Sequence, residues 1–177
     1  MRIIGGTLKG RKLNAPHLPD ARPTTDFARE SLFNILQSRY DLERIKVLDL
    51  FAGSGSIAFE FISRGAFQVT CVDLYAPGLA FIRNTAKDWE VNIETVKSDV
   101  FRFLKGKTTP YDIVFADPPF EHKGVTELPG LVIDNGWVKE NGLFIAEHGK
   151  AGQFNGFGKF VEERTYGKVH FSFFKNE

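Results

Sequence analysis

The sequence contains very little cysteine and no long apolar run. Its 177 residues include one cysteine, Cys71, which lies in the apolar run VTCVDL and has no partner for an internal disulfide. We therefore expect a reduced and buried thiol. No apolar stretch approaches the roughly 20 residues that cross a bilayer, and the first residues lack the apolar core of a secretory signal. These absences predict a cytoplasmic protein.

An excess of charge of either sign is absent, because 23 basic side chains nearly balance 22 acidic ones, but the charge is unevenly distributed. The net charge is +1, which argues against a general polyanion binder. The first 13 residues nevertheless carry only basic charge, at Arg2, Lys9, Arg11 and Lys12. A local basic arm on a neutral body is typical of a nucleic-acid partner, although a solvated tail explains it equally well.

Metal-ligand spacing is also absent. The four histidines are scattered along the chain, at His17, His122, His148 and His170. Metal sites bring such residues together at short, regular spacings. The sequence therefore predicts no metal site.

The pattern of apolar residues indicates one α/β domain over residues 1–177. RIIGG and GRKLNAP predict a β-hairpin, an N-terminal extension over residues 1–22, and a helix capped by Thr24 or Thr25 follows. From residue 46 strands alternate with helices, which predicts a mostly parallel sheet with helices on both faces. The closing segment FGKFVEERTYGKVHFSFFK predicts a β-hairpin at an antiparallel edge.

Candidate ligand-binding residues follow four successive predicted strands. Gly53 and Gly55 of DLFAGSGSIA allow a tight turn before a helix N-terminus, and Asp73 follows the next strand, where it can accept ribose hydroxyls. Asp99 is placed to accept from an adenine amino group, and Asp117 follows the fourth strand. Each residue alone can be a turn or a helix cap. Together, at one edge of a sheet, they predict a site for a nucleoside-bearing cofactor.

The stretch FADPPF discriminates between cofactors. GSGSIA also satisfies a degenerate dinucleotide fingerprint, so a nicotinamide-dependent dehydrogenase is a rival interpretation. Hydride transfer has no use for Asp-Pro-Pro-Phe, whereas methylation of a ring-attached amine does. Asp117 and the Pro118 carbonyl can accept the two N–H bonds and turn the nitrogen lone pair towards a methyl donor. Phe120 can stack on an extruded base.

Motifs along nearly the whole chain resemble one known family. MRIIGGTLKGRKL, RPTTDFARESLFNIL, VLDLFAGSGSIAFEFISRGA, FADPPF and YGKVHFSFFK together are similar to the bacterial RsmD-type methyltransferases. The resemblance implies a Rossmann-like seven-stranded sheet, mostly parallel with an antiparallel last strand, and an N-terminal hairpin that contacts RNA. It implies methylation of guanine N2 in small-subunit (16S) ribosomal RNA with S-adenosylmethionine as cofactor.

The resemblance also implies roles by position. The candidate catalytic residues are Asp117, Pro118, Pro119 and Phe120. The candidate cofactor-binding residues are Asp49, Phe51, Gly53, Gly55, Asp73, Leu74, Asp99, Val100 and Asp117. The candidate RNA-binding residues are Arg2, Lys9, Arg11, Lys12, Arg22, Thr24 and Arg29. Phe120 stands where the family commonly has tyrosine, and residues 121–137 are the least family-like segment.

Three alternatives stay open at this point. The same chemistry on adenine N6 of DNA or RNA would need only a different amine, and the Asp117 carboxylate favours guanine by family analogy alone. A dehydrogenase and a non-catalytic RNA-binding module are the alternatives from other classes. The sequence leaves open the target nucleotide, the choice between free RNA and an assembled particle, and the oligomeric state.

Overall fold

The computed structural model describes residues 1–16, 25–119 and 121–177. The predictions for Arg22, Thr24 and Phe120 therefore lie outside the described residues. No helix within these ranges is long and apolar enough to span a membrane.

Seven strands form one sheet. They are β1 (Lys46–Leu50), β2 (Gln68–Asp73), β3 (Ile93–Lys97), β4 (Tyr111–Ala116), β5 (Val138–His148), β6 (Phe160–Tyr166) and β7 (Val169–Lys175). Their spatial order is β3-β2-β1-β4-β5-β7-β6, and β7 pairs antiparallel with β5 and β6 while all other pairs are parallel. The order reverses between β1 and β4, which is where ligands bind in open sheets of this kind. The predicted Rossmann-like fold is confirmed.

Helices cover both faces of the sheet. The helices are α1 (Asp26–Arg39), α2 (Ser56–Ser63), α3 (Ala76–Asp88), α4 (Val100–Leu104) and α5 (Leu128–Ile133), with a 3₁₀ turn at Val125–Glu127. The apolar side chains of α1, α2 and α3 share one core with one face of the sheet. Those of α4 and α5 share a second core with the other face. Because side chains alternate along a strand, Asp49 and Cys71 point to the α1–α3 face.

The first helix begins at a side-chain cap. Thr25 has extended backbone, and its hydroxyl accepts a hydrogen bond from the Ala28 backbone N–H at 3.2 Å. Ala28, Leu32 and Leu36 are fully buried, as their spacing predicts, and Ile35 packs at the margin of the core. The cap therefore fixes the point at which the chain enters the α1–α3 layer.

The N-terminal segment is part of the core rather than a solvated arm. It forms a turn with one antiparallel bridge, between Arg2 and Lys12, instead of the two predicted strands. Ile3, Leu8 and Leu13 are buried in the α1–α3 core. We call residues 1–13 the N-terminal hairpin. Backbone hydrogen bonds such as Ile3 N–H to the Arg11 carbonyl join its two arms, and burial of these three side chains anchors it to the core.

A buried carboxylate joins the N-terminal hairpin to α2. Glu60 is fully buried, and its two oxygens accept hydrogen bonds from the backbone N–H groups of Ile4 and Gly5, each at 2.9 Å. The nearly buried Arg64 guanidinium pairs with the same carboxylate at 2.8 Å. Ser63 adds an Oγ that accepts from the Leu8 N–H. These bonds give a hydrogen-bond acceptor to the backbone and guanidinium donors that the junction removes from water.

We predict that Glu60→Ala destabilises the fold by about 3–5 kcal/mol, because it leaves a buried guanidinium and two backbone donors unpaired. Denaturant unfolding measures the change. Glu30→Ala, at an exposed position on α1, is the control and should stay within about 0.5 kcal/mol of the parent. Equal stability of the two variants would contradict the structural role of Glu60.

Candidate active site

A tight glycine turn follows β1. Phe51, Gly53 and Gly55 all have positive φ, of 61°, 54° and 76°. A side chain on Gly55 would lie 2.7 Å from Ile82, and one on Gly78 of α3 would lie 2.5 Å from the Gly53 carbonyl. The loop and the start of α3 therefore approach as closely as backbone allows. This approach brings backbone N–H groups to the edge of the sheet, where a ligand can reach them.

Asp73 holds this turn in position. Its Oδ2 accepts from the Gly53 N–H at 2.8 Å, and its Oδ1 accepts from the Tyr75 N–H at 2.7 Å. Each carboxylate oxygen has a further lone pair, so both can accept from a ligand as well. Leu74 beside it is 60% exposed, which leaves an apolar surface at the strand end. The ribose role of Asp73 stays a prediction, and the structure adds a role in ordering the turn.

Asp99 caps a helix. It is the N-cap of α4, and its Oδ1 accepts from the Arg102 N–H at 2.8 Å. The adjacent Val100 is buried in the second core. Asp99 therefore acts as the helix cap that the sequence also allowed. Its contact with adenine remains a prediction, and the second carboxylate oxygen, Oδ2, would have to make it.

Three carboxyl groups meet on the α1–α3 face of the sheet, two of them buried and one, Asp117, half-buried. Asp49 lies in β1, Asp117 directly follows β4, and Glu147 lies near the end of β5. The strands bring them together, because Asp49 is paired with Phe115 and Ala116 is paired with Ala146, one residue before Asp117 and Glu147. Asp49 and Glu147 are each 2% exposed. We call these three residues the carboxylate cluster.

Burial and neighbouring negative charges raise the pKa of two members of the cluster, Asp49 and Asp117. Burial, then the charge of Asp73, raises the pKa of Asp49 to about 8, against a partial offset by a hydrogen bond from the Ala58 backbone. Burial, followed by Glu147 and Asp49, raises the pKa of Asp117 well above its ordinary value. Oδ2 of Asp49 is buried and has no hydrogen-bond partner among the described residues. A cationic ligand beside these groups would restore their ionised form.

Local packing fixes the Asp-Pro-Pro segment. The Asp117 N–H lies 3.3 Å from the Leu50 carbonyl, which extends the pairing of β4 with β1 by one residue. Pro118 is buried and Pro119 is exposed. The His122 N–H donates to the Pro119 carbonyl, and the His122 ring stacks on Phe101 of α4 with centroids 4.6 Å apart. The rigid turn therefore presents Asp117 beside the glycine turn, at the point where the strand order reverses.

The predicted RNA-binding cations do not share one environment. Arg2 and Lys9 line an open cleft with Ile3, Ile4, Gly10 and Glu30. Lys12 is exposed. The Arg11 guanidinium lies over the Trp89 ring, 5.1 Å from its centroid, which engages its charge within the protein. Arg2, Lys9 and Lys12 have no such aromatic contact and are exposed, with Arg2 3.7 Å from Asp26, and the role of these cations in RNA binding stays a prediction.

Arg29 is a correction to the sequence-based prediction. It is 1% exposed, and its Nη2 donates to the Arg2 carbonyl at 2.7 Å and to Asp26 at 2.9 Å. The side chain turns inward because its position on α1 lies on the apolar stripe beside Ala28 and Leu32. Arg29 ties α1 to the N-terminal hairpin and is not a surface contact for RNA.

Sequence reasoning missed Glu147. The only available signal was a charged residue inside the apolar run GLFIAEH, which predicts a strand buried on both faces. A glutamate in such a run calls for a partner or a function. Within the described residues no group of histidine, cysteine and acidic side chains has the arrangement of a metal site.

The fold and this edge define a class of protein: a Rossmann-like methyltransferase, with a glycine turn after β1 and acidic side chains at the carboxyl ends of β1, β2 and β4. A family model described as "Conserved hypothetical protein 95" matches residues 1–175. The chain belongs to this family and is a methyltransferase of the RsmD type. The resemblance seen in the sequence is thereby confirmed.

Individual relatives agree with this assignment. The chain is 41% identical over 148 residues to the Ribosomal RNA small subunit methyltransferase D of Escherichia coli, covering 83% of this chain and 74% of that protein. It is 29% identical over 186 residues to the protein of the same name from Buchnera aphidicola subsp. Baizongia pistaciae, covering 99% and 92%.

Solved structures agree as well. The Escherichia coli protein yhhF superposes with a TM-score of 0.89 at 34% identity, over 100% of this chain and 98% of that one. A T. thermophilus 16S rRNA N2 methyltransferase, described in complex with AdoMet and guanosine, superposes with a TM-score of 0.68 over 89% and 45%. At 19% identity this second likeness supports the fold alone.

We predict that the ligand-free protein loses stability as pH rises from about 4 to about 8. The folded state holds the Asp49 proton up to its raised pKa of about 8, whereas the unfolded chain releases it near 3.8. One such proton changes the free energy of unfolding by up to about 1.4 kcal/mol per pH unit. Denaturant unfolding across this range should show a shallower loss for Asp49→Asn. Superimposable pH profiles of the variant and the parent would contradict the raised pKa.

Proposed function

We propose that this protein transfers a methyl group from S-adenosylmethionine to the exocyclic N2 amine of a guanine in small-subunit ribosomal RNA. The observation that carries the proposal is the position of Asp117, which lies in the carboxylate cluster and directly beside the glycine turn. The names of its relatives, which state methylation of small-subunit ribosomal RNA, support the substrate.

The residues at this edge fit the cofactor. Asp73 offers two carboxylate oxygens beside the exposed Leu74, as a ribose next to a flat base requires. Oδ2 of Asp49 has no hydrogen-bond partner in the described part of the chain, which suits a ligand ammonium group. When bound, S-adenosylmethionine supplies an electrophilic methyl group on a positively charged sulfur. That charge suits the three carboxyl groups of the carboxylate cluster.

Asp117 can orient the target amine. A ring-attached amine is a weak nucleophile because its lone pair is delocalised into the ring. A carboxylate and the Pro118 carbonyl that accept its N–H bonds hold the nitrogen in one geometry and stabilise positive charge that develops on it. Burial, followed by the charges of Glu147 and Asp49, raises the pKa of Asp117. A cation in the pocket therefore shifts Asp117 towards the ionised form that accepts these bonds.

The same acceptors favour guanine over adenine. The edge of guanine that carries N2 also presents the N1–H donor, so one carboxylate can accept two hydrogen bonds from it. Adenine presents the N1 acceptor next to its N6 amine, and two acceptors in contact repel each other. An ionised Asp117 supports the guanine-N2 assignment. A protonated Asp117 could donate to adenine N1, so adenine N6 is the second candidate.

We predict that Asp117→Ala lowers the single-turnover methylation rate on small-subunit ribosomal RNA by about a hundredfold or more, as loss of one preorganised acceptor typically does. The affinity for S-adenosylmethionine, measured by calorimetry, should change little. Asp88→Ala, an exposed aspartate at the end of α3, is the control. A folded Asp117→Ala protein that methylates at the parental rate would remove Asp117 from the chemistry.

We predict that the exposed cations of the N-terminal hairpin contact phosphates. Replacing Arg2, Lys9 and Lys12 together by glutamine should weaken RNA binding and flatten its dependence on salt by about 0.7–0.9 slope units for each lost phosphate contact. The matched control replaces three exposed lysines elsewhere, Lys87, Lys105 and Lys107. Equal salt slopes for the two triple variants would contradict the role of this hairpin.

A further inference from the structure

One aromatic ring stands in solvent at the start of α1. Phe27 is 68% exposed, the highest fraction among the large hydrophobic side chains in the described part of the chain. It is not isolated, because its ring meets the ring of Tyr166 edge-on, with centroids 5.9 Å apart and planes at 78°. Tyr166 in turn packs against Phe171 of the α1–α3 core, which fixes its orientation.

Phe27 and Tyr166 lie at the edge of the sheet that carries the active site. Tyr166 ends β6, and β7 begins at Val169 and runs antiparallel to β5, with His148 paired to His170. The turn between β6 and β7 therefore lies at the end of β5 where Glu147 is found. The N-terminal turn of α1 must lie at the same edge, since Phe27 contacts Tyr166 there.

The surroundings of the two rings are polar and cationic. Arg2 is 3.7 Å from Asp26, the residue before Phe27, and its side chain is 71% exposed. Lys168 is exposed in the turn that follows Tyr166. Arg2 also lines the cleft on the N-terminal hairpin that Lys9 shares. A single exposed ring between cations does not resemble the contiguous apolar patch of a protein–protein interface.

We propose that Phe27 and Tyr166 form a stacking platform for an unpaired RNA base that neighbours the target nucleotide. The proposal rests on the proposed function, because it takes RNA as the ligand. Aromatic side chains bind single-stranded nucleic acid by stacking on the flat faces of bases, with nearby cations on the phosphates. Arg2 on one side and Lys168 on the other supply that charge. The platform is separate from the Asp-Pro-Pro segment, which acts on the target base itself.

The experiment compares two exposed phenylalanines. Phe27→Ala removes the platform, and Phe67→Ala is the matched control, since Phe67 is 59% exposed but precedes β2 at the opposite edge of the sheet. Phe27→Leu keeps apolar bulk without a π-face, and Phe27→Trp keeps the π-face. Binding of a short oligoadenylate and of a small-subunit ribosomal RNA transcript is measured by fluorescence anisotropy at several salt concentrations, and thermal unfolding checks that each variant is folded.

The platform predicts a specific set of results. Phe27→Ala and Phe27→Leu should each weaken binding of both RNAs by between about fivefold and about a hundredfold. Phe27→Trp and Phe67→Ala should bind like the parent. The salt slope should stay unchanged, because no phosphate contact is lost, and the affinity for S-adenosylmethionine should stay unchanged as well.

Other results would overturn the platform. If Phe27→Ala binds RNA as Phe67→Ala does while both methylate it, the platform is wrong and the proposed function stands. Parental binding by Phe27→Leu would show an apolar contact without stacking and would also overturn it. A parent protein that binds neither RNA would overturn the platform together with the proposed RNA substrate.

Discussion

The constraint on which the site depends is the repulsion among carboxyl groups at one edge of the sheet. Burial removes the water that would screen Asp49, Asp117 and Glu147, and the charges of Glu147 and Asp49 disfavour the ionised form of Asp117, so all three are ionised together only beside a cation. The chain tolerates this cost because the strands that carry them are held by core packing on both faces. A positively charged ligand at this edge would therefore stabilise the ionised form of these groups, and the glycine turn lies beside them.

The sequence predicted the fold well because its signals were local. Alternation of strands with helices, the cap at Thr25 and the acidic residues at strand ends can all be read within a few neighbouring positions. The predicted antiparallel last strand likewise follows from the short turn between β6 and β7. Glycines at positive φ were correctly placed in the turn after β1, since only that conformation fits the close approach to α3.

The features that sequence could not give depend on contacts between distant segments. The local sequence predicts a surface cation at Arg29. In the structure the N-terminal hairpin covers it, and its guanidinium donates to the carbonyl of Arg2, which lies 27 positions earlier in the sequence. The sequence around Glu60 gave no sign of its role. Glu60 holds that hairpin through the backbone of Ile4 and Gly5, which precede it in the sequence by 56 and 55 positions. Glu147 joins the carboxylate cluster only because the sheet order places β5 next to β4 and β4 next to β1. The burial and the charged partners of such residues depend on tertiary contacts, which a local sequence pattern does not determine.

The arrangement of opposite charges suggests how an anionic substrate reaches an acidic pocket. The carboxylate cluster is buried or half-buried, whereas Arg2, Lys9, Lys12 and Lys168 are exposed. An RNA backbone that approached the cluster would be repelled, so its phosphates are better placed on the exposed cations. A nucleobase is uncharged, and a base turned out of its strand can enter where a phosphate cannot. On this proposal the fold separates the two parts of one nucleotide by their charge, and recognition of the RNA backbone and chemistry on the base need not compete.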